Sequence, residues 1–276
     1  MTVGICGLGL IGGSMAKAYK EAGHTVLGYD LNSATLGYAE LAGITDGILD
    51  DTTIPSCDLI FVALYPVASI EYLEQKAHLI SANTVVIDLC GTKAKICEAG
   101  FALAEKHGFT FVGGHPMAGT QFSGIKYAKS TLFKNAPMVL VPPTYDDIAF
   151  LDNIKKLLSP AGFEKFSITT AQEHDRIIAF TSQLAHVVSN AYVKTPTAQN
   201  HKGFSAGSYK DLTRVAWLNE NMWTELFLEN KEHLLFELDH IINSLTEYKN
   251  AIEQNDSDTL RSLLRDGRIA KEKVDG

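Results

Sequence analysis

The 276 residues include 22 Gly and only 8 Pro, with 46% hydrophobic and 20% charged side chains, proportions that belong to a folded chain and exclude disorder, collagen and low complexity. Lys and Arg total 24 against 32 Asp and Glu, a formal net charge of −8, which opposes general affinity for nucleic acid or anionic lipid and leaves any anionic ligand to a local pocket. No apolar stretch approaches the roughly 18 to 20 residues a bilayer span needs, and the apolar start, residues 1–13, has no basic leader. A cytoplasmic protein without membrane or nucleic-acid partners is expected, and the length suits two domains.

The four cysteines, Cys6, Cys57, Cys90 and Cys97, lack CxxC pairing, and the nine histidines show no HExxH or HxxxH spacing; they read as reduced core residues with no metal site. From the start of the chain, β-branched runs at 3–6, 25–29, 59–64, 84–88, 109–112 and 138–141 are bounded by Gly, Asp or Pro and predict strands. Between them, 11–22, 33–42, 67–80 and 93–107 carry apolar residues at three- and four-residue spacing, with Pro66 placed for a first helical turn. This alternation predicts an α/β fold with a Rossmann-like, doubly wound parallel sheet. A further helix at 145–158 and a last strand at 163–168 complete it, so the division falls at 1–168 and 169–276.

Beyond Thr170 the pattern is all helical. An apolar stripe runs through Ile177, Phe180, Leu184, Val188 and Ala191, a polar break spans 195–208, and Leu226, Leu234, Leu235, Leu238, Ile241, Ile242 and Leu245 form a broad apolar face. That face fits either internal packing or a subunit interface.

Gly7, Gly9 and Gly12 form GLGLIG directly after the first strand and at the opening of the first helix. With Leu10 and Ile11 they predict a turn that brings backbone amides and a helix N-terminus to a diphosphate. Asp30 ends the second strand, 18 residues beyond Gly12, and no Lys or Arg occupies 31–34. An acidic side chain there accepts from adenosine ribose hydroxyls and repels a 2′-phosphate, which favours NAD over NADP.

A nicotinamide enzyme places its substrate beyond the carboxyl ends of the strands, so polar residues after strands four and five are candidates. His115, in the glycine-rich loop 113–120, is the best candidate base; the alternative is a structural histidine. Arg214, in an apolar helical stretch followed by Trp217, Met222 and Trp223, needs an anion, either an acidic side chain or a ligand carboxylate. His186 and Asp175 carry the same ambiguity.

GLGLIGGS at 7–14, GTK at 91–93, GGHPMAGT at 113–120, SQLAH at 182–186, and DLTRVA with MW and LENK between 211 and 231 together resemble prephenate dehydrogenase, the TyrA family of tyrosine biosynthesis, over nearly the whole chain. The resemblance implies NAD-dependent oxidative decarboxylation of prephenate to 4-hydroxyphenylpyruvate, and an intertwined homodimer through an all-helical C-terminal dimerisation domain. It implies that His115 takes the proton of the ring hydroxyl, that Arg214 binds a substrate carboxylate, and that the Thr92 hydroxyl lies near the nicotinamide and the catalytic histidine. His186, Asp175 and Trp223 match residues lining or supporting the pocket, and Thr120 follows the HPMAG turn as in relatives. Gln121 stands where some relatives carry a glutamate, which puts charge-gated access to the pocket in doubt. No fused mutase or regulatory domain is expected, so any tyrosine inhibition is expected at the active site. Arogenate dehydrogenase, another β-hydroxyacid-type dehydrogenase and a non-catalytic NAD sensor are the competing readings. The second commonly carries a lysine where this chain has Gln183 and His186, and the third has no use for a base and a carboxylate clamp together.

Overall fold

Strands buried on both faces are favoured where β-branched runs alternate with amphipathic helices, and the computed structural model has that architecture. It describes every residue except Lys202, Ser205 and Gly276, and not the side chain of Asp275. In chain order come β1 (Thr2–Cys6), α1 (Leu10–Glu21), β2 (Thr25–Tyr29), α2 (Ser33–Leu41), β3 (Gly47–Ile48), β4 (Leu59–Val62), α3 (Pro66–Lys76), β5 (Val85–Asp88), α4 (Ala94–His107), β6 (Thr110–Pro116), β7 (Pro137–Val141), α5 (Ile148–Leu157) and β8 (Lys165–Ile168). They form one sheet of order β3-β2-β1-β4-β5-β6-β7-β8. The order reverses between β1 and β4, and that reversal opens the crevice in which open α/β sheets bind ligands.

The sheet is not wholly parallel as expected. β6 and β7 pair antiparallel, with Gly113 opposite Val141 and His115 opposite Val139. A parallel crossover ordinarily needs a helix across the face, and between these two strands there is only a short 3-10 turn at Ile125–Tyr127. The two-residue β3 escaped the sequence because so short a run carries no periodicity.

Sheet faces are filled from both sides. Val3, Ile5, Leu59, Phe61, Ile87 and Val112 pack with α1 and α5 residues such as Met15, Tyr19 and Ile154. On the other face Val62, Val86, Phe111 and Ile60 pack with α3 and α4 through Leu73, Ile96 and Cys97. Helix ends follow local chemistry: Asn32 accepts from the amides of Ala34 and Thr35, Asn219 from Met222, and Gly108 closes α4 in the left-handed region.

After β8 the described chain is helical. α6 (Ala171–Ile178) and α7 (Ala185–Tyr192) are joined by a π-helical turn at Ala179–Leu184, then follow α8 (Gly207–Thr213), α9 (Glu220–Glu229), α10 (Lys231–Glu253) and α11 (Ser257–Asp275). The extra residue of the π turn breaks the expected stripe: Leu184 is buried, while Ile177 and Phe180 are exposed. α10 lies along this turn, and α11 folds back on α10. No helix among the described residues is long and apolar enough to cross a membrane.

Candidate active site

At the reversal point the glycine turn is a cradle that side chains would close. Gly7 has φ +90°, and a Cβ on it would press 2.6 Å from the carbonyl oxygen of Ala63; a Cβ on Gly12 would collide with the carbonyl oxygen of Gly7. Gly9 faces open space at the N-terminus of α1, which has no side-chain cap and no acidic residue in its first turn. Free amides and an uncompensated helix dipole suit a diphosphate there. Leu10 and Ile11 open α1 beside it. Asp30 spans the turn: one carboxylate oxygen accepts from the amide of Leu8 at 2.9 Å and the other from Asn32 at 2.9 Å. Each oxygen keeps a further lone-pair direction for ribose hydroxyls.

His115 does not sit in a loop, as the sequence suggests, but in the last turns of β6. The parallel ladder with β5 ends at Val112, and pairing with β7 carries the strand on through Pro116. The imidazole is therefore mounted on a sheet rather than on a mobile connection. Its Nδ1 lies 2.8 Å from Nε2 of His174, whose own Nδ1 is 2.7 Å from Oδ1 of Asp175. Asp175, near the end of α6, is buried, and its carboxylate accepts from the amides of Lys93 at 2.7 Å and Ala94 at 2.8 Å, at the start of α4. Burial pushes the His115 imidazole well below the usual histidine range, with the His174 ring and the Lys93 ammonium adding to the effect.

Lys93 and Asp88 form a wholly buried ion pair beneath this group. Burial opposes the charge of Lys93, but the adjacent Asp88 carboxylate prevails and holds its pKa above the ordinary value. Asp88 also accepts from the amides of Cys90 at 3.0 Å and Gly114 at 3.1 Å, so a single carboxylate ties the end of β5 to the strand that carries His115.

The helical half reaches the same sheet edge through α9. Glu229 accepts from the Thr92 hydroxyl at 2.7 Å, Glu225 accepts from the amide of Val67 at 2.7 Å at the start of α3, and Leu226 packs over Gly91. Asn230 donates to the backbone carbonyl of Asp175 at 2.7 Å and to the Gln183 side chain at 2.9 Å, and Gln183 donates to the Leu226 carbonyl at 3.1 Å. Gln183 is thus buried in the seam between α9 and the π turn.

His186, Trp223 and Arg214 group separately within the helical half. The His186 ring lies 3.9 Å from the Trp223 ring and its Nδ1 is 2.8 Å from the Val215 carbonyl. Its pKa is lowered by burial, with the Arg214 charge contributing. Arg214 closes α8, is exposed, and its side chain has no hydrogen bond or ion pair among the described residues. Thr120 and Gln121 are exposed; the Thr120 hydroxyl bridges to the backbone of Phe122 and Gln121 lies in the same turn.

The structure therefore brings His115, Thr92 and Asp175 to one region, with Asp175 engaged by protein donors, and groups His186, Trp223 and Arg214 in another. Sequence reading missed His174, Glu229 and Asn230. The one available signal for His174 was its place beside Asp175, just inside a helix capped by Thr170; its partner lies 59 residues away.

Comparison with known proteins gives a consistent result. The family model for the prephenate dehydrogenase nucleotide-binding domain matches residues 15–165, and that for the prephenate dehydrogenase dimerization domain matches residues 170–266. Prephenate dehydrogenase of Bacillus subtilis (strain 168) is 30% identical over 285 residues, covering 100% of this chain and 76% of the relative. Among solved structures, prephenate dehydrogenase from A. aeolicus in complex with hydroxyphenyl propionate and NAD+ superposes with a TM-score of 0.84 at 27% identity, covering 99% of this chain and 98% of that one. Synechocystis arogenate dehydrogenase superposes with a TM-score of 0.80 at 28% identity over 99% of this chain and 100% of that one.

Proposed function

The chain belongs to the prephenate dehydrogenase family, and from that premise we propose that it catalyses NAD-dependent oxidative decarboxylation of prephenate to 4-hydroxyphenylpyruvate, with His115 as base and Arg214 as carboxylate clamp. The observation that carries this reading is the imidazole of His115, mounted on β6 at the end of the sheet where the glycine cradle opens, with burial holding its pKa well below the usual histidine range. Residues 1–168 hold the nucleotide and residues 169–276 supply substrate contacts and the dimer interface.

Gly7, Gly9, Leu10, Ile11 and Gly12 would hold the diphosphate by backbone amides and Asp30 would hold the ribose, and NAD held there would supply the two-electron acceptor that takes the hydride. His115 takes the hydroxyl proton as the carbinol carbon is oxidised; carbon dioxide leaves and the ring becomes aromatic, which makes the step nearly irreversible. Thr92, its hydroxyl proton engaged by Glu229, keeps oxygen lone pairs for a partner beside the nicotinamide. Arg214, with no acidic partner among the described residues, compensates a substrate carboxylate and orients the ring. His186 and Trp223 wall the pocket, with Thr120 and Gln121 at its rim. Gln121 offers no carboxylate to an ammonium, which favours prephenate over arogenate.

The net charge of −8 supports the absence of a nucleic-acid partner, and four buried free cysteines suit the reducing cytoplasm. NADH absorbance recorded with NAD and either prephenate or arogenate tests the reading: prephenate is expected to be the better substrate, and no reduction with either would refute the enzyme.

A further inference from the structure

Resting on that reading, we propose that His174 is a positioning residue which, anchored by Asp175, fixes His115 in the tautomer whose Nε2 lone pair is free to receive the substrate proton. The hydrogen-bond inventory leaves a single consistent arrangement. Asp175 accepts a backbone amide on each of its two carboxylate oxygens at the N-terminus of α4, so the group is engaged as an acceptor on both sides. An ionised carboxylate only accepts, so the 2.7 Å contact requires the hydrogen on Nδ1 of His174. Neutral His174 then presents a bare Nε2 to His115 Nδ1 at 2.8 Å. Two lone pairs cannot meet at that distance, so His115 carries its hydrogen on Nδ1 and keeps Nε2 as the base.

The charged surroundings keep both rings neutral. The Lys93 ammonium faces His115 and His174 from the start of α4; Asp88, on β5, and Asp175, on α6, act on His174 in the opposite sense, yet burial leaves its pKa below the ordinary value. Once His115 accepts the hydroxyl proton at Nε2, its Nδ1 hydrogen still points at His174, and the Asp175 carboxylate beyond polarises that ring toward the new charge. The logic is that of a triad whose middle histidine orients a second histidine in place of a serine. In acid the device fails in a defined way: a proton on His174 Nε2 would oppose the hydrogen on His115 Nδ1 and force the inactive tautomer. The acidic limb of kcat/KM is therefore expected below the ordinary histidine range.

The test reads ring nitrogens as well as rates. Two-bond proton–nitrogen correlation spectra of the uniformly nitrogen-15-labelled full chain, assigned with His115→Asn, are expected to show hydrogen on Nδ1 and a bare Nε2 for both His115 and His174; hydrogen on Nε2 of His115 overturns the proposal. His174→Ala is expected to lower kcat about 10²-fold, as loss of an orienting partner does, with KM for prephenate and affinity for NAD unchanged. His174→Gln, whose amide oxygen accepts from His115 Nδ1, is expected to recover about tenfold of that loss. Wild-type kcat in His174→Ala, or a Gln variant no better than Ala, overturns it. If the wild-type chain reduces NAD with neither substrate the enzymatic reading falls, while the spectra still decide the tautomer.

Discussion

Arg214 is the residue for which sequence and structure divide most usefully. Its residue type demanded an anion, but only the tertiary structure shows that no acidic side chain answers it among the described residues. A charge-assisted hydrogen bond contributes about 1.5 to 3 kcal/mol, so Arg214→Gln is expected to raise KM for prephenate about 10- to 100-fold while NAD affinity stays as it was; steady-state kinetics with an unaltered KM would remove Arg214 from the substrate site. His115 was legible for the opposite reason, because its glycine-rich motif is local. His174 was not legible, since its meaning comes from a ring on another element and from a carboxylate held in place by α4 amides.

At the scale of the element, the glycine turn and β6 show how little sequence is needed to aim a site and how much is needed to hold it. Gly12 packs so closely on the Gly7 carbonyl that a methyl group has no place. Gly12→Ala is accordingly expected to abolish measurable NAD binding by calorimetry while the far-ultraviolet circular dichroism of the sheet persists; undiminished NAD affinity would show that the turn is not the cradle. β6 owes the rigidity of His115 to four residues of antiparallel pairing with β7, and no periodicity in 109–116 announces that pairing. The helices were more readable because amphipathic spacing and caps such as Asn32 and Asn219 act within a few residues. The π turn at Ala179–Leu184 was invisible, since its extra residue answers to the packing of α10 rather than to its own composition.

Over the whole molecule, two properties depend on surfaces and burial rather than on motifs. α10 buries Leu234 inward but leaves Phe236, Ile242 and Leu245 at 60%, 55% and 60% exposure, and Leu264 of α11 is likewise exposed. So much apolar surface on adjoining helices suits a second copy of the chain. Because Ile242 and Leu245 are exposed in the single chain, the wild type is expected to run as a dimer and Ile242→Glu with Leu245→Glu as folded monomer; light scattering after gel filtration checks this, and a dimer unchanged by the substitutions would place the interface elsewhere. Acid stability is set by the same burial. His115, His174 and His186 all have pKa values lowered mainly by burial, so as pH falls below the ordinary histidine value the unfolded chain takes up protons that the folded chain refuses. Stability is complete above that value and is lost as pH falls toward the depressed folded values. Calorimetric Tm is expected to fall between about pH 6.5 and 5, and a flat Tm across that window would contradict the burial of neutral imidazoles.

Sequence alone determined the alternating order of strands and helices and the glycine turn with Asp30 after the second strand, and it singled out His115 and Arg214 as candidates, because each is written in residues near one another along the chain. Tertiary structure decided the direction of β7, the mounting of His115 on a strand, the Asp88–Lys93 pair beneath it and the placing of His174 between imidazole and carboxylate. Those depend on which distant groups share a buried space, where an unpaired charge or hydrogen-bonding atom is costly and only matched partners persist.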